Sequence, residues 1–199
     1  MSGTEAMIHI DVEGELEKII QRLNSLQDQI AAPNILKNAI NSTARKVRKQ
    51  LVKDAKGEYA IKDTKALKDE SQGGPKVLTA TTANMSAAIR SKGPMQDIMA
   101  FMTRPNSKTG AAAAQVLASG SMKPLEMDGL KAFVTKFASG HVAIVQRKGA
   151  ERLPVKKLLS PAVPFMLGNE TVRSQAEALA YETLQGEIDK RIQKVLGKA

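Results

Sequence analysis

Apolar residues recur along this chain with two different periods, and the change of period restricts the fold more than any other feature. Ile8, Ile10 and Val12 alternate with His9 and Asp11, the two-residue repeat of a half-buried strand. After Gly14 the spacing becomes three and four, through Leu16, Ile19, Ile20, Leu23, Leu26 and Ile30, which predicts an amphipathic helix. Pro33 suits the first turn of a second helix whose apolar face is Leu36, Ala39 or Ile40, Thr43, Val47 and Leu51. An antiparallel pairing of these two helices is expected, with Gly57 ending the second. Tyr59 to Glu70 reads as a linker with a short helical turn, and Ser71-Gln72-Gly73-Gly74-Pro75 as a loop.

Between residues 76 and 160 the strand period returns. Val77 to Thr82, Met85 to Ser91 and Asp97 to Met102 are short strand-like runs rich in Thr, Ala, Ile and Val. Lys131 to Phe137 and His141 to Arg147, joined by Ala138-Ser139-Gly140, form a clear hairpin signal. The residue before Pro154 is pushed away from helical torsions, so Leu153-Pro154-Val155 is expected to be extended. Thr103 to Met122 is biased to small and polar residues; it reads as mobile in isolation, with helix propensity over Ala111 to Ala118. Pro161 and Pro164 punctuate a turn, and Pro164 is expected to open a last helix, about residues 164–197. Its stripe is Val172, Ala176, Leu179, Leu184, Ile188, Ile192 and Val195.

These patterns together predict an α+β class, with one domain over 1–199. The N-terminal strand and helices fall at about 7–57 and a β-rich centre at about 76–160, carrying a flexible, Ala/Gly/Ser-rich insertion at 103–122. A small antiparallel β-sheet should pack against the N-terminal helices and the long C-terminal helix. Aromatic residues are only 3% of the 199, so Leu, Ile, Val, Ala and nine Met must fill the core, and stacking platforms for bases are scarce. With no cysteine, disulfides and thiolate metal sites are excluded. The N-terminus lacks the pattern of a secretory signal and no segment reaches the length of a membrane span, so the expectation is a soluble, unprocessed intracellular protein with no membrane partner.

Thirty Lys and Arg against 20 Asp and Glu leave a net charge of +10, which favours phosphate backbones or acidic protein surfaces as neighbours. The second helix concentrates part of that excess in Arg45, Lys46, Arg48, Lys49, Lys53 and Lys56. Of these, Arg45, Lys46, Arg48, Lys49 and Lys53 are candidates for docking or for contact with phosphates, and the plainer reading is a solvated helix face.

Residues suited to catalysis are few. His9 and His141 lie far apart in strand-patterned runs without a His or Cys neighbour. Ser119-Gly120-Ser121 is no nucleophile elbow, and Gly73-Gly74-Pro75-Lys76 lacks the spacing of a phosphate-binding loop. Asn41-Ser42-Thr43 and Asn169-Glu170-Thr171 match the glycosylation pattern inside predicted helices, so they read as chance matches. Acidic residues are scattered, and Glu187 with Arg191, at i and i+4, reads as helix surface chemistry. The expectation is therefore no catalytic residue, no metal and no cofactor.

The C-terminal half carries a resemblance. The run Lys131-Ala-Phe-Val-Thr-Lys-Phe137 is followed by Ser139-Gly-His-Val-Ala-Ile-Val-Gln-Arg-Lys-Gly149. Leu153-Pro-Val-Lys-Lys-Leu-Leu-Ser-Pro-Ala-Val-Pro164 then completes the block. It resembles the signature of the minor tail protein Z family of long-tailed bacteriophages. The pattern residues are Phe133, Gly140, Gln146, Arg147, Pro154, Pro161 and Pro164. Ala88 to Phe101 and the paired N-terminal helices match more loosely, whereas the first strand, the first helix and the Ala-rich stretch depart from the family. The resemblance implies a structural protein of the virion tail or neck, acting in tail completion and head-tail joining. It also implies identical copies in a ring, hexameric by analogy, beside the tail terminator and head-tail connector proteins, with contact to genomic DNA in the channel open. Two other classes stand beside this one: a basic nucleic-acid-binding protein whose helix from Pro33 to Lys56 tracks phosphates, and a catalyst with a site assembled in space.

Overall fold

A computed structural model describes residues 4–10, 12, 14–23, 25, 29–104 and 112–197. The class is α+β, as the change of period requires. Strand β1 (Thr4–Ile10) buries Ile8 and Ile10 and exposes His9, as its alternation predicts. Helix α1 (Glu15–Gln21) then closes at Arg22 after two turns. That early stop breaks the phase of the expected stripe. Ile19 and Leu23 are buried while Ile30 is 72% exposed, and Leu26 lies outside the described residues.

Helix α2 (Ala32–Glu58) is the spine of the molecule, about 40 Å long at 1.5 Å per residue. It runs one residue past Gly57 and is capped at Tyr59. Its buried face includes Ile35, Leu36, Ile40, Val47 and Leu51, interleaved with Ala32, Ala39 and Ala44, whose small side chains admit close neighbours. Helix α1 does pack on α2, but the principal partner is the C-terminal helix α5 (Glu170–Leu196). The two run antiparallel, because Tyr59 at the end of α2 meets Asn169 at the start of α5, with Asn169 Nδ2 3.4 Å from Tyr59 Oη. Burial pushes the Tyr59 phenol pKa up.

Between these helices the chain makes small antiparallel sheets rather than the one expected. Strand β3 (Ala87–Gly93) is central to the first, with β1 on one side and β2 (Lys76–Leu78) on the other. Ile8 lies opposite Ile89, and α2, α5 and the short helix α4 (Val163–Leu167) cover the sheet. The strand predicted at 77–82 stops at Leu78, where Asn41 of α2 clamps Ala80, donating to its carbonyl at 3.0 Å and accepting from its amide at 2.8 Å, and the strand predicted at 85–91 lies two residues later, at Ala87–Gly93. Before them comes α3 (Lys65–Lys68), the expected helical turn.

The loop of residues 71–75 is buried at Gly73, Gly74 and Pro75. Gly73 adopts φ +99°, and a Cβ on Gly93 would stand 2.5 Å from Gly73 Cα, so two backbones cross where no side chain fits. Ser91 Oγ donates to the Gly73 carbonyl, and Arg48 Nε donates to the Pro75 carbonyl at 2.5 Å.

The β-rich centre holds β4 (Gln96–Asp97), β5 (Met102–Arg104), β6 (Ala113–Gln115), β7 (Lys123–Pro124), β8 (Glu126–Met127) and β9 (Leu130–Lys131). It continues through β10 (Phe133–Lys136), β11 (Val142–Arg147), β12 (Val155–Lys157) and β13 (Leu159–Ser160). The strand expected over Asp97 to Met102 is interrupted by a tight turn at Ile98–Ala100, capped by Asp97 Oδ1 accepting from Met99 N at 2.9 Å.

The Ala-rich stretch corrects the expectation. Residues 105–111 lie outside the described residues, but Ala113–Gln115 is a strand between β5 and β7, not a helix or a free segment. Ala112 and Ala114 are buried, Val116 O accepts from Ala60 N at 2.9 Å, and Gln115 Nε2 donates to the carbonyls of Ala118 and Gly120. With Ile98, Ala132 and Ile144 they make a second apolar cluster, and Val116 touches both this and the main core. The last helix is also corrected. Pro164 opens α4, which stops at Gly168, and Asn169 then caps α5 by accepting from Thr171 N at 3.0 Å. The stripe of α5 is buried at Val172, Ala176, Ala180, Leu184, Ile188 and Ile192.

Candidate functional surface on the second helix

The basic run of α2 does not form one outer face. A helical residue advances about 100° around the axis, so Arg45 and Lys46 point toward α5 while Lys49, Lys53 and Lys56 point toward α3. Arg48 is committed elsewhere: besides Pro75 O, its Nη2 lies 3.4 Å from Lys68 O.

The first of the two depressions is a groove of about 760 Å³ between the N-terminal half of α2 and the C-terminal half of α5. Glu187 stands in its floor with a side chain only 7% exposed. Lys46 Nζ donates to Glu187 Oε1 at 2.5 Å, and Arg191 Nη1 donates to Oε2. The Lys46 hydrogen bond, with help from Arg191 and Ser42, outweighs burial and holds the Glu187 carboxyl down to about 2. Thus Glu187 is not the helix-surface residue its spacing suggested; it is a fixed anion tying α2 to α5. Arg45, Lys190 and Lys194 also line the groove without a hydrogen-bonding partner among the described residues.

On the other side lies a cleft of about 530 Å³ between the C-terminal half of α2 and α3. Its charged lining is Arg48, Lys49, Lys53, Lys56 and Lys68, with Val52 between them and no carboxylate. Lys68 was not singled out in the sequence, because nothing local places it beside residues of α2.

A third cluster was also invisible in the chain order. Lys157 Nζ is 2.8 Å from Asp97 Oδ2, and His141 Nε2 is 3.7 Å from the same oxygen and 3.3 Å from Lys157 Nζ. The Phe137 and His141 rings stack with centroids 6.3 Å apart. Chemically this is a carboxylate–ammonium clamp with an imidazole beside it, tying β12 and the hairpin to β4, which itself pairs with β13. His9 stays exposed on β1, across from Ala88.

The residues of the C-terminal block have structural partners. Arg147 lies over the Phe133 ring at 5.9 Å. Gly140 takes φ +82° in the hairpin turn, the region that favours glycine. Buried Gln146 reaches through Nε2 to the carbonyls of Met127 and Leu130 and so pins the β8–β9 hairpin. Pro154 follows a cis peptide bond, and its carbonyl accepts from Lys148 N at 3.0 Å. Pro161 is half-buried before α4 and Pro164 is buried in its first turn.

Among the described residues no group of three or more His, Asp or Glu gathers to hold a metal ion, and no helix is long and apolar enough to cross a membrane. Compared with protein-family models, with curated proteins and with solved structures, the chain finds no match.

Proposed function

We propose that the chain is a structural subunit of a long-tailed phage tail or neck, acting in tail completion and head-tail joining, and that it works by contact with copies of itself and with terminator or connector proteins rather than by turnover. The observation that carries this reading is the C-terminal block from Lys131 to Pro164, whose motifs resemble those of the minor tail protein Z family in their order. The surface of that block supports it. In the sheet ordered β10-β11-β12 the outer strands β10 and β12 have no further strand partner among the described residues, and free edges template pairing with another chain. Phe137, Val142, Leu153 and Leu159 are exposed on or beside these strands, Leu153 by 68%. Full burial of an exposed apolar side chain is worth about 1.5–3 kcal/mol, and covering these in an assembly recovers the share of it that their remaining exposure leaves. A closed ring satisfies free edges and apolar patches at once.

The test is localisation in particles. An epitope tag on the chain, followed by immunogold imaging of virions from a producing host, should mark the head-proximal end of the tail. Replacing Val142 and Leu153 together by Glu should reduce incorporation while leaving the isolated protein folded. Particles that lack the tagged chain, or that take up the double variant at the wild-type level, would remove the proposal.

A further inference from the structure

Five cations line the cleft between α2 and α3, and no carboxylate lies among them. The contrast with the α2–α5 groove is direct, because there Glu187 supplies an internal counterion. None of the acids near the cleft in sequence, Asp54, Glu58, Asp63 and Asp69, lines it, and three of them are engaged elsewhere, Asp63 by accepting from Lys65 N at 2.9 Å. Asp69 accepts from Ser71 N at 2.9 Å and from Ser71 Oγ at 2.7 Å, and Asp54 accepts from Gln50 at 2.6 Å. The ammonium groups of Lys49, Lys53, Lys56 and Lys68 have no hydrogen-bonding or ionic partner among the described residues. Arg48 is held by two backbone carbonyls and fixes the wall. Gathering like charges costs self-repulsion, which an external anion relieves.

We propose that this cleft binds the phosphate backbone of double-stranded nucleic acid without reading its sequence. Three features select that ligand. Lys49, Lys53 and Lys56 form a row about 10 Å long on one helix, a length over which three long side chains can each reach a separate phosphate of a duplex strand. Lysine ammonium groups neutralise phosphates as compact point charges on long stems, which suits a backbone contact that reads no sequence. No aromatic side chain lines the cleft, so unstacked bases of a single strand find no platform. The site therefore divides the basic run of α2: Lys49 and Lys53 contact phosphate with Lys56 and Lys68, whereas Arg45 and Lys46 belong to the groove opposite. It stands apart from the assembly reading, which survives if this site fails.

The test is fluorescence anisotropy of the full chain with a labelled mixed-sequence duplex of about 25 base pairs, titrated across NaCl concentration. The triple variant Lys49→Ser, Lys53→Ser, Lys68→Ser should reduce the slope of log K against log salt by about 3, close to one for each phosphate contact. A control, Arg45→Ser, Lys190→Ser, Lys194→Ser, removes the same charge from the groove and should change that slope by less than about 1. A scrambled duplex should bind equally. Because the three lysines are exposed, the variant should retain its unfolding midpoint; if it does not, Lys49→Gln with Lys53→Gln should reduce the slope by about 2. Equal effects from cleft and groove variants would reduce the binding to net charge and overturn the proposal. So would no duplex binding at low salt, or a poly-glutamate chain that displaces the duplex at equal charge concentration, which would assign the cleft to an acidic protein.

Discussion

Replacing Glu187 by Gln keeps the side-chain shape and removes the charge that joins α2 to α5. In the folded protein the carboxyl is held at about 2 against an ordinary 4.5, chiefly by the Lys46 hydrogen bond. At about 1.4 kcal/mol per unit, that difference corresponds to roughly 3 kcal/mol of stability. Lys46 is 58% exposed, so water screens part of the attraction and about 2 kcal/mol is the better expectation at neutral pH. The sign follows from the depressed pKa: the contribution is full above the unfolded value and is lost as pH falls through the folded one. Urea unfolding of wild type and Glu187→Gln at a series of pH values isolates the effect, because titration of the other carboxylates cancels in the difference. The wild-type advantage should hold from about pH 7 to about pH 5 and shrink toward zero near about pH 2. A difference that stays constant through that window, or one below about 0.5 kcal/mol at neutral pH, would refute the electrostatic account.

Thr43 Oγ1 is fully buried without a hydrogen-bond partner among the described residues, so Thr43→Val should stabilise the protein by about 1 kcal/mol in thermal or urea unfolding; a loss of stability would show that the hydroxyl is satisfied. Gly93→Ala places a Cβ 2.5 Å from Gly73 Cα, where only backbone can yield, and should cost about 3 kcal/mol or more. Gly186→Ala, in α5 with open space around the new methyl, should instead stabilise by roughly 0.5–1 kcal/mol, and the opposite signs can be read from one set of melting curves. Disrupting the clamp on Ala80 by Asn41→Ala should cost about 1–3 kcal/mol, and an unchanged midpoint would show that the loop needs no such anchor.

Local pattern was enough for the parts of the chain whose neighbours are close in sequence. The hairpin around Gly140 pairs residues only 6 to 12 positions apart, from Lys136 with Val142 to Phe133 with Val145, and its strands and turn stand where the motif places them. The buried face of α2 and most of that of α5 follow from a three-and-four repeat, which any apolar surface will satisfy. The glycines at 73 and 74 marked a break in the chain, although only the structure shows why both are needed: Gly73 crosses Gly93, and a Cβ on Gly74 would stand 2.6 Å from the Lys68 carbonyl carbon.

Partners distant in sequence decided the rest. Alanine favours helix by only tenths of a kcal/mol per residue, so two flanking strands and a buried place for Ala112 and Ala114 override that preference. Glu187 and Arg191 are legible as a helical pair, but the lysine that buries the carboxylate lies 141 positions away. The basic run of α2 could be read off its residues, whereas its division between a groove shared with α5 and a cleft closed by Lys68 could not. Thus the sequence by itself determined the α+β class, the hairpin and the apolar faces, because each depends on the period of nearby residues. Which charges are neutralised inside the molecule and which stay open to a partner was decided by tertiary structure alone, since a charge is paired or left free by whatever the fold brings to within a few ångströms of it.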